Sequence, residues 1–288
     1  MKFHSVEQGG ADWHALRRRC VGASDVAPIL GLNPKTTPYM LFEQKLGLST
    51  VTQTAAMKQG HEIEDEARAW FHREYGRKVL PAVATHDVNN WVLASFDGID
   101  EANQVIVEIK HVKQEFHEMA CAGKVPDLYF PQCQWQMYVS GWENVHYLSY
   151  KRGNPAVVIV PRDNDFIAMA VPKCKEFWDC VDNLTPPELT ERDYVDVSDD
   201  VQLLDMVQRY KYYSALAKEY EGKRDEIKEQ IKEAACDRNV KGNGFKVSRY
   251  PVKGRLDYAA IMSHHNIDVE NCQQFKKTST VAYRITIQ

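Results

Sequence analysis

With 288 residues, 44% hydrophobic, 26% charged and 10% aromatic, the chain has a globular composition, long enough for one large core or a core plus a smaller module, and chain-wide disorder is excluded. No run of about 18 apolar residues is present, the first residues hold no apolar signal-peptide stretch, and seven cysteines without a CxxC pair fit neither a disulfide framework nor a structural zinc site. A cytoplasmic chain with reduced thiols and no membrane partner is expected, and the formal charge of −4, taken alone, argues against a nucleic-acid partner.

In chain order, Thr36 to Gly47 reads as a short helix with Pro38 in its first turn and Gly47 as its cap. Thr54 to Tyr75 reads as a longer one, ended by Gly76. Val79–His86, Trp91–Ile99 and Gln104–His111 are strand-like and separated by turn residues, which predicts an antiparallel meander. Helical patterns return at Lys113–Gly123 and Leu128–Ser140, and strands at Val145–Lys151 and Ala156–Pro161. Asp165 to Asn183 reads as a helix interrupted, or started late, by Pro172. A linker is expected from Leu184 to Ser198.

The longest helical pattern runs from Val201 to Arg238, with Met206, Tyr210, Tyr213, Ala217, Tyr220, Ile227, Ile231 and Ala234 on 3,4 spacings. It reads as a bundle or hairpin element that Gly222 could split, or as a coiled coil for a partner, with Arg224 interrupting the seam. Beyond it, strands are expected at Phe245–Tyr250 and Val281–Ile287, with a polar helix near Tyr258–His265. From Asn239 onward eight Lys/Arg face three acids, so this tail carries +5 and the rest of the chain −9. Three parts follow: residues 1–195, 196–238 and a basic module at 239–288.

The chemistry concentrates on Asp97 and on Glu108-Ile109-Lys110. Alternation along a strand puts Glu108 and Lys110 on one face with Ile109 behind, and a hairpin would bring Asp97 beside Glu108. Two carboxylates and a lysine at a sheet edge suit metal-assisted phosphodiester hydrolysis, with oxygen ligands favouring Mg²⁺ or Mn²⁺. Charges at this spacing are usually a solvated strand face. Here the flanking residues are apolar (Trp91, Val92, Leu93, Ala94; Val105, Ile106, Val107), which favours a site. Glu64 adds a carboxylate on the preceding helix, read equally as an exposed acid near the helix start.

Two further clusters stand out. Trp13-His14-Ala15-Leu16-Arg17-Arg18-Arg19 precedes Gly22-Ala23-Ser24-Asp25. Arginine forks suit phosphate, while Ser24 reads better as an N-cap than as a phosphate donor. Tyr129 to Tyr138 places Gln132, Gln134 and Gln136 among aromatics, with Gln132 and Gln136 on one helix face and Gln134 and Tyr138 on another. Packing against the sheet is the plain reading of any one of these glutamines.

Taken in order, the motifs WHALR, GASD, GHEIEDEARAWF, ASFDGID, VEIKH and YFPQCQWQMYVSG resemble the lambda-exonuclease and YqaJ-type viral recombinase family. That family is a branch of the PD-(D/E)XK nucleases, and the resemblance spans Trp13 to Pro161. It implies an α/β (α+β) core of restriction-endonuclease type, a central mixed sheet flanked by helices, with the C-terminal helical and basic extension lying outside it. By the resemblance Asp97 and Glu108 match the metal-ligating acids, Glu64 a further metal carboxylate, Ile109 a backbone metal contact and Lys110 the catalytic lysine. Gln132 and Gln134 match active-site glutamines, Gln134 pairing with Tyr138 in a Q-x(3)-Y pattern. Arg17 and Ser24 match 5′-phosphate contacts, and Ser95 a serine near the metal.

The implied activity is Mg²⁺-dependent 5′→3′ exonucleolysis of double-stranded DNA ends, with Mn²⁺ able to substitute. The 3′ single strands left behind would serve phage-type recombination through a RecT/Bet-like annealing protein. A phage or prophage origin in a bacterial cell and a homo-oligomer, a ring-shaped trimer foremost, belong to the same implication. The family's downstream phosphate-contacting arginine is not found after Lys110, where Lys113 is the available cation. The cysteines lack the grouping of an iron–sulfur nuclease and no P-loop is present, so neither a cluster nor ATP is expected. A structure- or site-specific endonuclease, and a catalytically idle DNA-end-binding scaffold, remain as alternatives.

Overall fold

A computed structural model of the chain describes residues 1–49, 55–236, 238–249, 262, 264 and 265. They fall into two compact units, Met1–Val195 and Asp196–Gln288. The first is built on a mixed sheet. Its strands are β1 (Lys2–Phe3), β2 (Val21–Gly22), β3 (Leu80–Thr85), β4 (Val92–Asp100), β5 (Val105–Lys110), β6 (Asn144–Ser149) and β7 (Ala156–Pro161). The spatial order is β1-β3-β4-β5-β6-β7, with β2 beside β4. β3, β4 and β5 form the antiparallel meander, β5 and β6 run parallel, and β6 and β7 close an antiparallel edge.

The parallel step requires a crossover, and α5 (Gln114–Cys121) and α6 (Phe130–Ser140) supply it. Around the sheet lie α1 (Ala11–Arg18), α2 (Val26–Ile29), α3 (Pro38–Leu46), α4 (Ala55–Tyr75) and α7 (Asn164–Asp182). The two faces of the sheet bury different clusters. α6 and α7 enclose Trp135, Met137, Tyr147, Phe177 and their neighbours, while α4 lays Ile63, Ala67 and Phe71 against Val105, Val107 and Leu148. Because both faces are covered, β5 is apolar at four of its six positions and buried at five, and the alternation of a half-exposed strand is lost.

Local chemistry sets most boundaries. Thr37 caps α3 by accepting from the Met40 N–H at 3.0 Å, and Gly47 ends it at φ 71°. Asp163 caps α7 by accepting from Phe166 N–H. α7 runs straight through Pro172, contrary to the expected interruption; the proline removes one backbone bond, and the buried row Ile167, Ala170, Cys174, Phe177 and Val181 holds the helix to the core. Gly98, one residue after Asp97, has no room for a side chain: a Cβ there would lie 2.7 Å from Val79 Cγ2. The linker segment is less loose than expected, since Asp193 accepts from the Thr37 hydroxyl and Arg192 donates to the Asn33 carbonyl at 3.0 Å.

In the second unit, α8 (Val201–Ala235) is one helix of 35 residues, capped by Asp200 and unbroken at Gly222. β8 (Val240–Gly242) and β9 (Phe245–Val247) form a short hairpin, so the expected strand at 245–250 is present in its first half. The helix near Tyr258–His265 falls largely, and the strand at Val281–Ile287 wholly, outside the described residues.

Sequence patterns gave no sign of the tie between α1, β2 and α3. Lys45 of α3 is 5% exposed and donates to the Arg17 and Cys20 carbonyls at 2.9 and 2.8 Å and to the Asp25 carboxylate. Asp25, itself 6% exposed, also accepts from Gly22 N–H at 2.7 Å and from Arg17. Burial pushes the Asp25 carboxyl up, but the Lys45 and Arg17 cations outweigh it and hold the group below its usual range. Burial lowers Lys45 despite Asp25. Removing one partner strands a buried charge, so Lys45→Met is predicted to cost about 3–5 kcal/mol in urea unfolding. The double change Lys45→Met with Asp25→Leu should recover most of that loss. A single-variant cost under about 1 kcal/mol, the level of a surface pair, would contradict a structural role for this ion pair.

Candidate active site

The register of β4 against β5 pairs Asp100 with Val105, Ile99 with Ile106 and Gly98 with Val107. One step further the ladder ends. There the Asp97 carboxylate accepts the Ile109 N–H at 2.8 Å, replacing the backbone bond with a side-chain one. Asp97 is half-buried and its own carbonyl accepts from Arg68 of α4 at 2.7 Å. That arginine lies 3.8 Å from Glu64, so α4 brings Glu64 to the same end of the sheet.

Glu108 is fully buried, at 0% exposure, on the central strand β5. An isolated carboxylate there would be prohibitively costly. Three donors offset the cost. Lys110, two residues on and 24% exposed, pairs with Oε1. Gln132 donates to the same oxygen at 2.5 Å, and Gln136 donates to Oε2. Burial, then the Asp97 charge, push the Glu108 carboxyl up to about 7 against the opposing pull of Lys110 and Gln136. Burial works against the Lys110 ammonium, but Glu108 and Asp97 outweigh it and raise its pKa. Its Nζ also lies 5.7 Å above the Tyr129 ring, placed to offset negative charge beside the two acids.

A second half of the site is reached through α1. Trp13 Nε1 donates to Ser95 Oγ at 2.9 Å, and the Arg17 guanidinium lies over the Trp13 ring at 4.7 Å. Arg17, 29% exposed, then donates to Ser24 Oγ at 2.8 Å. Ser24 is exposed and makes no cap bond, so the N-cap reading fails: the hydroxyl is taken by an arginine that sequence spacing could not place. Arg17 and Ser24 together form a small exposed donor pair, with Asp25 behind holding the guanidinium.

The structure thus gathers Asp97, Glu108, Ile109, Lys110 and Gln132, brings Glu64 near through Arg68, and joins Ser95 to Arg17 and Ser24 through Trp13. It does not bring Gln134 or Tyr138 to this cluster. Gln134 points to the opposite side of α6, donating to the Pro161 carbonyl at 2.9 Å and accepting from Asp163 N–H at 2.8 Å, so it secures the β7–α7 junction. Tyr138 accepts from Asn89 at 2.8 Å and stacks on His86 at the β3–β4 turn. Gln136 takes the place given to Gln134. Its four-residue spacing from Gln132 was the signal that could have found it.

Asp97, Glu108 and the Ile109 carbonyl are hard oxygen donors, the type that Mg²⁺ and Mn²⁺ prefer. Among the described residues no three His, Cys, Asp or Glu side chains converge into a ligand set. A cation here would depend on two carboxylates, backbone oxygen and retained water, as Mg²⁺ sites usually do.

Comparison with known proteins bears on the family and the fold. Residues 12–143 match the model of the YqaJ-like viral recombinase domain. The uncharacterized protein YqaJ of Bacillus subtilis is 29% identical over 185 residues, which is 60% of this chain and 56% of that protein; the match thus spans little more than half of that relative's length. A short stretch of 44 residues is 46% identical to protein D345L of African swine fever virus, covering 15% of this chain and 13% of that one. Among solved structures, an alkaline exonuclease from Laribacter hongkongensis superposes with a TM-score of 0.53 at 28% identity, over 61% of this chain and 94% of that one. The first unit has the mixed sheet with flanking helices expected of a PD-(D/E)XK core, and residues 12–143 are similar to the YqaJ-like viral recombinase domain.

Proposed function

We propose that the chain is a divalent-metal-dependent exonuclease that degrades double-stranded DNA ends 5′→3′. Mg²⁺ is the natural ion in this reading and Mn²⁺ can substitute. The 3′ single strands would pass to a single-strand annealing protein in phage-type recombination. The observation that carries the reading is the Asp97 carboxylate held on the Ile109 N–H at the end of the β4–β5 ladder, one residue from Glu108, whose Oε1 pairs with Lys110. The Laribacter hongkongensis alkaline exonuclease, also solved in complex with dAMP, supports the nuclease assignment.

A bound cation supplies Lewis-acid polarisation of the phosphate and a water of lowered pKa. Asp97, Glu108 and the Ile109 carbonyl would hold it, with Glu64 at the margin. Lys110, kept protonated by its two acidic neighbours, offsets the charge that develops on the phosphoryl oxygens. Gln132, half-buried beside it, fixes Glu108 Oε1 on the same side. Arg17 and Ser24 offer donors to a terminal 5′-phosphate. The path Ser95–Trp13–Arg17 fixes their distance from the acids, and a fixed distance is what an end-dependent enzyme needs.

Asp97→Asn and Lys110→Ala are each predicted to lower Mg²⁺-dependent degradation of linear duplex by roughly 100-fold or more, with circular dichroism close to wild type in both and a lowered melting temperature in Lys110→Ala, where buried Glu108 loses its cation. Full activity in either variant removes the proposed site. With wild-type protein, linear plasmid should be consumed while covalently closed circles persist; cutting of the circles would favour a structure- or site-specific endonuclease. Arg17→Ala should erase a preference for 5′-phosphorylated over 5′-hydroxyl ends. If wild type has no such preference, the phosphate role of Arg17 and Ser24 is wrong.

A further inference from the structure

The two oxygens of Glu108 live in different surroundings. Oε1 meets Lys110 and Gln132, both partly exposed. Oε2 meets Gln136, which is fully buried. Gln136 Nε2 has two hydrogens and both are engaged, one on Glu108 Oε2 and one on the Ser95 carbonyl at 3.3 Å. Its own Oε1 is buried without a hydrogen-bond partner among the described residues. Such an orphan costs about 1–3 kcal/mol, and an apolar side chain of the same volume would avoid it. Gln136 is therefore a poor space-filler, and its donor side explains what it does.

We propose that Gln136 is a positioning residue: it pins Glu108 Oε2 to the Ser95 main chain of β4, leaving Oε1 as the only oxygen that Glu108 turns toward a cation on the open side. The inference rests on the metal-dependent reading above. Ser95 occupies the centre of this arrangement, its carbonyl held by Gln136 and its hydroxyl by Trp13. Without Gln136 the carboxylate could rotate about its last bond and lose its fixed relation to Asp97. Partners that orient a metal ligand typically carry roughly 10–100-fold in metal affinity.

Gln134 provides a matched control. It lies on the same helix, is equally buried, and spends its amide on Pro161 and Asp163, away from Glu108. The test is calorimetric titration of Mn²⁺ into wild-type, Gln136→Met and Gln134→Met protein without DNA, with melting temperature followed in parallel. Gln136→Met is expected to weaken Mn²⁺ binding by roughly tenfold or more, and Gln134→Met by less than about twofold, even where the two lower the melting temperature alike. Equal affinity in Gln136→Met and wild type overturns the positioning role and leaves the nuclease reading standing. Absence of Mn²⁺ binding in wild type removes both. Should Gln136→Met not fold, Gln136→Leu is read by the same criteria.

Discussion

The burial of one carboxylate organises this molecule. Glu108 lies on the middle strand of a sheet covered on both faces, with no access to water. A charge in that position persists only if the protein supplies the hydrogen bonds that solvent would have given. Lys110 comes from the same strand, but the two amides come from α6, which reaches the sheet only through the crossover between β5 and β6. The parallel pairing of β5 with β6, the length of α6 and the depth at which it docks are thus tied to Glu108. The same helix carries Trp135 and Met137 into the main core, so packing and site are fixed by one docking event.

From Glu108 a chain of contacts leads outward. Gln136 connects it to the Ser95 carbonyl, the Ser95 hydroxyl takes the Trp13 indole, and the Trp13 ring carries the Arg17 guanidinium to Ser24. Behind Arg17, the Asp25–Lys45 pair anchors α3 and the turn after β2. The buried members of this chain, Glu108, Gln136, Asp25 and Lys45, take their hydrogen bonds from protein groups and not from water, Gln136 Oε1 excepted, which makes their geometry unforgiving. A nuclease acting on ends has a use for that rigidity, because the distance from phosphate contact to scissile bond decides where it cuts.

Much of the scaffold was legible in the sequence. Apolar runs separated by turn residues marked β3, β4 and β5, and Pro38 with Gly47 marked α3 to within a residue or two. The pairing of Asp97 with the Glu108 strand followed from hairpin geometry, since both lie near one turn. What sequence periodicity cannot carry is choice among faces. Gln132 and Gln136 share a side of α6, and Gln134 looks away from it; resemblance to a Q-x(3)-Y pattern pointed to Gln134 and Tyr138, while helical spacing paired Gln132 with Gln136 without saying which face meets the site. Long-range partners were beyond reach. Ser24 made a sound local N-cap until Arg17 took its hydroxyl, and nothing near Lys45 in the chain announces its buried partner Asp25. α7 outlasts Pro172 and α8 outlasts Gly222 because one residue's propensity is small beside a helix's other contacts and length.

The placement of the proposed cation is open to direct observation. Crystals soaked in Mn²⁺ and measured at the manganese absorption edge would reveal the ion by its anomalous signal. A peak within coordination distance of Asp97, Glu108 Oε1 and the Ile109 carbonyl, and beyond coordination distance of Glu108 Oε2, is the predicted result. A peak held by other residues, or by both oxygens of Glu108 with Gln136 displaced, would contradict the arrangement described for this site.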